Sequence, residues 1–290
     1  MPVLRKTAQQ KDEGRKLKYF VRGDLGVSYT LFASLKRTGG VRVNGEAALA
    51  NALLRPGDVV EVALPEDAPA RAVMPENLPC GIVYACEDFY IVDKPAPLPC
   101  QCSQRQEHGT LENRLAAHFG ESFVFRPLNR LDKGTSGLMC AATHAHACQL
   151  LQKQLHTGAF CREYLAVVEG DVEGGRTIDA PIRKEDAASV RRVVDVLRGK
   201  PSVTHMQIVQ RGNGRTLVRL RLETGRTHQI RVHMAHIGHP VVGDFLYGRE
   251  EERLPGRFAL HSALLSLDWN GERMAWGSPL PAELAALLEP

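Results

Sequence analysis

Between Thr216 and Glu223 the chain reads TLVRLRLE. Aliphatic residues take every second place, Val218, Leu220 and Leu222, with Arg219, Arg221 and Glu223 between them. A period of two sends alternate side chains to opposite faces, so this is a strand with one buried and one solvated face. A few residues later the period changes. Ile230, Met234 and Ile237 fall at i, i+4 and i+7, the buried stripe of a helix that Gly238 and Pro240 end. Thr224 and Gly225 make the turn between the two, and Thr227 is the expected N-cap. Arg231 follows the buried stripe by one residue. Its guanidinium is expected at the core edge, where an arginine pairs well with a partly buried carboxylate.

The same reading extends along the chain. FCREYLAVVEG (160–170) places Phe160, Arg162, Tyr164, Ala166 and Val168 on one face of a strand. GIVYACEDFYIVDKP (81–95) gives two short strands around an acidic turn at Glu87 and Asp88, and GLMCAAT (137–143) another strand. HAHACQLLQKQLHTG (144–158) is a helix with Thr143 as its cap, burying Ala147, Leu150 and Leu151. Strands and helices alternate irregularly, with no βαβ rhythm and no phosphate-cradling G-x-G-x-x-G or Walker loop. The expected class is therefore α+β, with a mixed, largely antiparallel sheet flanked by helices and loops.

Composition divides the chain. Residues 1–17 read as a basic tail, 18–64 as a small module, 65–80 as a Pro- and Ala-rich linker, and 81–290 as the main domain. In the module, VRVNG (41–45) predicts a tight hairpin turn at Asn44–Gly45, and RPGD (55–58) a second turn before the strand-like VVEVAL. Seven basic and three acidic residues within 1–30 account for the whole net charge of +4. A second cluster, Arg211, Arg215, Arg219, Arg221, Arg226 and Arg231 against Glu223 alone, suits either a polyanion or an ordinary solvated face. No apolar run approaches the ~20 residues that cross a bilayer, and the polar N-terminus has no secretory h-region. A cytoplasmic protein without a membrane partner is expected. The 7 cysteines form no C-x-x-C pair and read as reduced, mostly structural thiols.

RPLNRLDKGTSGL (126–138) sets one acid, Asp132, between Arg130 and Lys133 and runs it into a Gly-Thr-Ser-Gly turn. Alone, such a run is most often a tight turn. No second acid is nominated for a paired-carboxylate glycosidase, and Ser136 lacks the G-x-S-x-G elbow of a nucleophile. His228, His233, His236 and His239 invite a metal reading, but the i, i+4 pair of H-E-x-x-H and any nearby cysteine pair are missing. No metal is expected.

Taken together, these segments resemble the RluA-type pseudouridine synthases. NRLDKGTSG is similar to the family signature H-R-L-D-x-x-T-S-G, REYLAVVEG to its K-x-Y-x-A-x-V-x-G strand, and GRTHQIRVH with GHPVVGDFLYG to its later motifs. IVDKPAPLPC and RFALHSALLSL resemble its opening and late strands, so the likeness runs in order over about residues 81–290. Residues 18–64 resemble the alpha-L RNA-binding motif of a small-subunit ribosomal protein, in their second half above all.

The resemblance implies a cofactor-free and metal-free isomerase that converts uridine in RNA to pseudouridine on a flipped-out base. It implies Asp132 as the essential carboxylate, Arg231 as its positive partner with Arg226 as second choice, and Tyr164 stacked beneath the uracil. Arg130 would fill the gap left by the base. Asn129, Lys133, Thr135, His228, Arg219, Arg221 and Arg226 would join Arg130 in contacting RNA. Ribosomal RNA is the favoured partner and transfer RNA the second, with a monomer expected. A catalytically inactive RNA-binding protein on the same scaffold is the alternative. Asn129 stands where the signature has His, Gly134 where an acid is commoner, and Arg162 where Lys is typical. These departures bear on substrate choice more than on reaction type.

Overall fold

The computed structural model of the chain describes residues 3–65, 71–120, 122–155 and 157–290. Two compact units divide it, one of residues 1–69 with His144–His146 and the other of residues 70–143 and 147–290.

The N-terminal unit contains β1 (Val3–Thr7), α1 (Leu17–Gly23), α2 (Tyr29–Leu35), β2 (Val41–Val43), β3 (Glu46–Ala47) and β4 (Val59–Ala63), its strands ordered β1-β4-β2-β3. Asn44 and Gly45 both take positive φ between β2 and β3, as the two-residue hairpin turn requires. Phe20, Val21, Phe32 and Leu35 from the helices pack on Val41, Val60 and Val62 of the strands. Residues 3–17 are not the tail that composition suggested. β1 pairs antiparallel with β4 from Val3↔Ala63 to Thr7↔Val59, and Ala8, Asp12 and Leu17 are buried. Backbone ladders do not depend on side-chain polarity, so a basic edge strand escapes a compositional reading.

The second unit runs β5 (Ile82–Ala85), β6 (Phe89–Lys94), α3 (Leu111–Phe119), β7 (Arg126–Pro127), β8 (Ser136–Ala142), α4 (Ala145–Gln154), β9 (Cys161–Glu169) and β10 (Arg176–Asp179). It continues with β11 (Ile182–Lys184), β12 (Arg192–Val194), β13 (Val203–Gly212), β14 (Arg215–Leu222), α5 (Gln229–His236), β15 (Leu260–Trp269), β16 (Glu272–Gly277) and α6 (Ala282–Ala285). Its main sheet is ordered β10-β13-β14-β9-β15-β8-β6-β5, with β16 on β15 and β7 on β8. Pairing is antiparallel except between β15 and β8, the mixed sheet of an α+β domain. The central strands are apolar on both faces. Tyr90, Val92, Met139 and Ala141 pack on one side with Leu111 and Leu115 of α3 and Ile230 and Met234 of α5. Phe89, Ile91, Leu138 and Cys140 pack on the other with Ala147 and Leu151 of α4.

Thr143 directly precedes α4, and its hydroxyl donates to the Glu87 carbonyl. Two local expectations change. The N-cap of α5 is His228, in a left-handed conformation at φ 59°, rather than Thr227. Of the expected linker 65–80, residues 66–70 lie outside the described residues, and 71–80 are strapped to α3. Arg71 pairs with Glu112 at 2.8 Å, Asn113 Nδ2 donates to the Met74 carbonyl at 2.8 Å, and Arg114 donates to that of Pro79 at 3.0 Å.

Candidate active site

The turn between β7 and β8 carries Asp132, and its backbone is held from several sides. The Thr135 amide donates to the Asp132 carbonyl at 3.0 Å, and Cys100 Sγ lies 2.9 Å from the carbonyl of Leu131. The carbonyl of Lys133 accepts from the Leu98 amide at 2.9 Å and faces Lys94 Nζ at 3.4 Å. Lys94 is fully buried, and its ammonium also donates to the carbonyls of Pro95 (2.9 Å) and Leu98 (2.8 Å). Burial pushes it down to about 8, while these acceptors favour the ammonium. Gly137 follows at φ 105°, where a Cβ would sit 2.3 Å from the Ser262 carbonyl. Only glycine lets β8 approach β15 that closely, which accounts for the last residue of the Thr-Ser-Gly run.

The carboxylate opens into a cleft of about 680 Å³, within the ~300–1,000 Å³ usual for ligand sites. Arg130, Arg162, Tyr164, Arg226 and His228 line it with Asp132. Strand β9 supplies Arg162 and Tyr164 from one face, as the two-residue period predicted. Tyr164 is buried, and that burial pushes its phenol upward against the opposing pull of the Arg162 charge.

Arg231 lies in the first turn of α5 and is 3 % exposed. Its Nη1 donates to Asp132 Oδ2 at 3.0 Å, and its Nε and Nη2 grip the fully buried Asp244 at 2.7 and 2.8 Å. The guanidinium rests 4.2 Å from the centroid of the Phe258 ring and 5.1 Å from that of Tyr247. Burial opposes its charge, but Asp244 and Asp132 more than offset this and raise its pKa. The arrangement is a cation fixed in direction by a buried acid and two rings, presented to a second acid at the cleft floor. A carboxylate held in this way has the chemistry of a nucleophile or of a base.

The other expected contacts divide into two groups. Arg130 and Arg226 are exposed on the cleft wall. Lys133 is exposed but does not line the cleft, and Arg219 and Arg221 are exposed on β14 outside it. Asn129, which also lines the cleft, and Thr135 are 5 % and 2 % exposed. Asn129 Oδ1 accepts from the Cys140 amide at 2.9 Å, and its Nδ2 is 3.5 Å from the Leu138 carbonyl. Within the basic cluster, Arg211 donates to the Val172 carbonyl and Arg215 pairs with Glu251 and Glu169, so both are engaged internally. His233 bonds Thr204 and the Ala180 carbonyl, and His239 the Glu169 carbonyl. Among the described residues no group of three or more His, Cys, Asp or Glu could hold a metal, and no helix is long and apolar enough to cross a membrane. Sequence reasoning did not find Asp244, Tyr247, Phe258 or Lys94. The GDFLYG run held a signal, since the family motif it resembles sets an acid and a tyrosine there and neither had been given a task.

Comparison with known proteins gives the family. Residues 88–236 match the family described as RNA pseudouridylate synthase. The chain is 35 % identical over 276 residues to YjbO of Bacillus subtilis, named as an uncharacterized RNA pseudouridine synthase, covering 92 % of this chain and 96 % of that one. It is 37 % identical over 279 residues to the ribosomal large subunit pseudouridine synthase D of Pseudomonas aeruginosa, covering 88 % and 87 %. The solved human RNA pseudouridylate synthase domain containing 1 superposes with a TM-score of 0.58 at 29 % identity, over 70 % of this chain and 86 % of that one. With the match spanning half the chain by family model and nearly all of it by relatives, this protein belongs to the RluA-type RNA pseudouridine synthase family.

Proposed function

We propose that the protein isomerises uridine in ribosomal RNA to pseudouridine, with Asp132 as the essential carboxylate. In that reaction the N1–C1′ bond breaks, the uracil turns, C5 bonds to C1′, and the C5 proton leaves. Asp132 begins it either by attacking the sugar carbon or by taking a sugar proton, and either role requires an ionised carboxylate. The observation that carries the proposal is the 3.0 Å contact of Arg231 with Asp132 at the floor of a cleft walled by Tyr164, Arg130 and Arg226. Tyr164 offers a face on which the extruded base stacks. Arg130, exposed beside the acid, fills the vacated stack, and Arg226 contacts phosphate. Ribosomal RNA is favoured over transfer RNA because several relatives are named as ribosomal large subunit synthases.

The N-terminal unit adds RNA affinity in this reading. Tyr19 and Tyr29 are 52 % and 69 % exposed, and Lys18 and Arg22 lie over their rings at 5.0 and 5.5 Å. Basic side chains beside exposed aromatics suit a strand of RNA.

The test uses large-subunit ribosomal transcript and bulk transfer RNA, each tritiated at uracil C5. Wild type is expected to release tritium from the ribosomal transcript, and Asp132→Asn to release none while binding RNA within a few-fold of wild type. Substantial turnover by Asp132→Asn would remove the role given to the acid. Release from transfer RNA alone would overturn the substrate class. No release from either RNA would favour a scaffold that only binds.

A further inference from the structure

His228 stands at the start of α5 in a left-handed conformation, which His, like Asn and Asp, adopts more readily than most side chains, and its ring faces the Asp132 turn. One hydrogen bond holds the ring, and a longer contact shows where its far nitrogen points. Nδ1 lies 2.8 Å from the Tyr247 hydroxyl, and Nε2 lies 3.9 Å from Asp132 Oδ2. The Tyr247 oxygen also accepts the backbone N–H of Arg192 at 2.8 Å. An amide nitrogen can only donate, so the one phenolic proton is free to go elsewhere. The acceptor within its reach among the described residues is His228 Nδ1. An imidazole that accepts at Nδ1 carries its proton at Nε2, which points at the carboxylate.

On the reading that Asp132 is the catalytic acid, we infer that His228 is a positioning residue for it. Tyr247 locks the imidazole as the Nε2–H tautomer, and this N–H and Arg231 Nη1 both address Oδ2, leaving Oδ1 as the oxygen that meets the ribose. Arg231 bonds Oδ2 at 3.0 Å, and neither donor uses Oδ1. A carboxylate with one oxygen pinned presents the other in a fixed direction, which shortens the search for a reactive geometry. A neutral His228 serves here better than a charged one, because a second cation beside Arg231 would weaken the carboxylate as nucleophile or base. The charged and titratable groups facing the ring are Asp132, Arg231, Arg192, Asp244 and Tyr247. Burial lowers the His228 pKa, with Arg231 and Arg192 acting in the same sense and Asp132 and Asp244 opposing. The contact also ties the β11–β12 hairpin to the catalytic turn, since the Arg192 amide belongs to β12.

The first readout does not depend on catalysis. Nitrogen-15 spectra of the full chain labelled at histidine, with His228→Asn to assign the signal, should give a neutral ring protonated at Nε2 near neutral pH. Tyr247→Phe should give a mixture of tautomers and a His228 that protonates at higher pH. A ring protonated at Nδ1 in wild type would overturn the inference, whatever Asp132 does. The second readout is single-turnover tritium release against pH. Tyr247→Phe should move the acid limb to higher pH, where a merely structural loss would lower the whole profile without moving it. His228→Gln, whose amide reaches toward the place of Nε2, should retain at least tenfold more rate than His228→Asn, which tolerates the left-handed backbone but is too short. Equal rates in those two, or an unmoved limb in Tyr247→Phe, would refute the positioning role. Asp132→Asn in the same assay tests the underlying reading separately.

Discussion

Replacing Asp244 with asparagine perturbs the Arg231 cation from behind without touching the cleft. The carboxylate takes two charge-assisted bonds from Arg231, at 2.7 and 2.8 Å, and its Oδ1 also accepts the amides of Leu246 and Tyr247 at 3.1 and 3.2 Å. Asparagine keeps one oxygen, which can still serve Nη2 and the two amides. Its NH2 then points at Arg231 Nε–H, donor against donor. One charge-assisted bond worth about 1.5–3 kcal/mol is lost. A guanidinium 3 % exposed also loses its main countercharge, which brings the total to about 3–5 kcal/mol, the usual cost of breaking a buried pair. Against a domain stability of about 5–15 kcal/mol that is a large fraction. Both tryptophans, Trp269 and Trp276, lie in the second unit, so their fluorescence in urea follows this unit alone. A lower midpoint with an unchanged slope is expected. Single-turnover isomerisation, measured where the variant is still folded, should fall about ten- to hundredfold, or about 1.4–2.7 kcal/mol in the barrier. A stability loss under about 1 kcal/mol together with an unaltered rate would refute the idea that Asp244 orients Arg231.

Lys94→Met leaves carbonyls without their buried donor and should cost about 1–3 kcal/mol per group left unpaired, read by urea unfolding. The Lys94 value of about 8 lies below the 10.5 of a free lysine, so between those pH values the unfolded chain binds the extra proton. Wild-type stability relative to Lys94→Met should therefore rise from pH 8 toward pH 10.5, and a difference that shrinks over that window would contradict the assignment. At Gly134 a Cβ would meet the Phe258 ring at 2.7 Å, so Gly134→Ala should push that ring off Arg231 and lower both melting temperature and rate. Adding Phe258→Leu should restore stability in part, and no recovery would place the damage elsewhere. RNA affinity should drop steeply with salt by counterion release. Arg219→Ala with Arg221→Ala should flatten that slope and Arg211→Ala should not, because Arg211 is bonded to the Val172 carbonyl; a reversed pattern would misplace the RNA path.

The periodicities of the chain determined several of its central elements by themselves. An alternating TLVRLRLE can bury only one face as a strand, and an i, i+4, i+7 stripe can bury only as a helix, so β14 and α5 were legible before any coordinates. The order of motifs was enough to nominate Asp132, Tyr164 and Arg231, and the one-residue offset of Arg231 from its stripe announced a paired carboxylate. Local sequence does not encode what arrives from far along the chain. The strand at residues 3–7 forms because β4 offers it a backbone ladder, a bond that reads no side chain. The tertiary structure decided that Arg231 has two acids rather than one. Asp132 lies 99 residues before it and Asp244 13 after it, and only the packing of α5 against the β7–β8 turn brings them to opposite ends of one guanidinium. The same packing set Tyr247 against His228 and Phe258 beneath Arg231. Direction and burial of a charge depend on every element that surrounds it, whereas a strand or helix depends mainly on its own period.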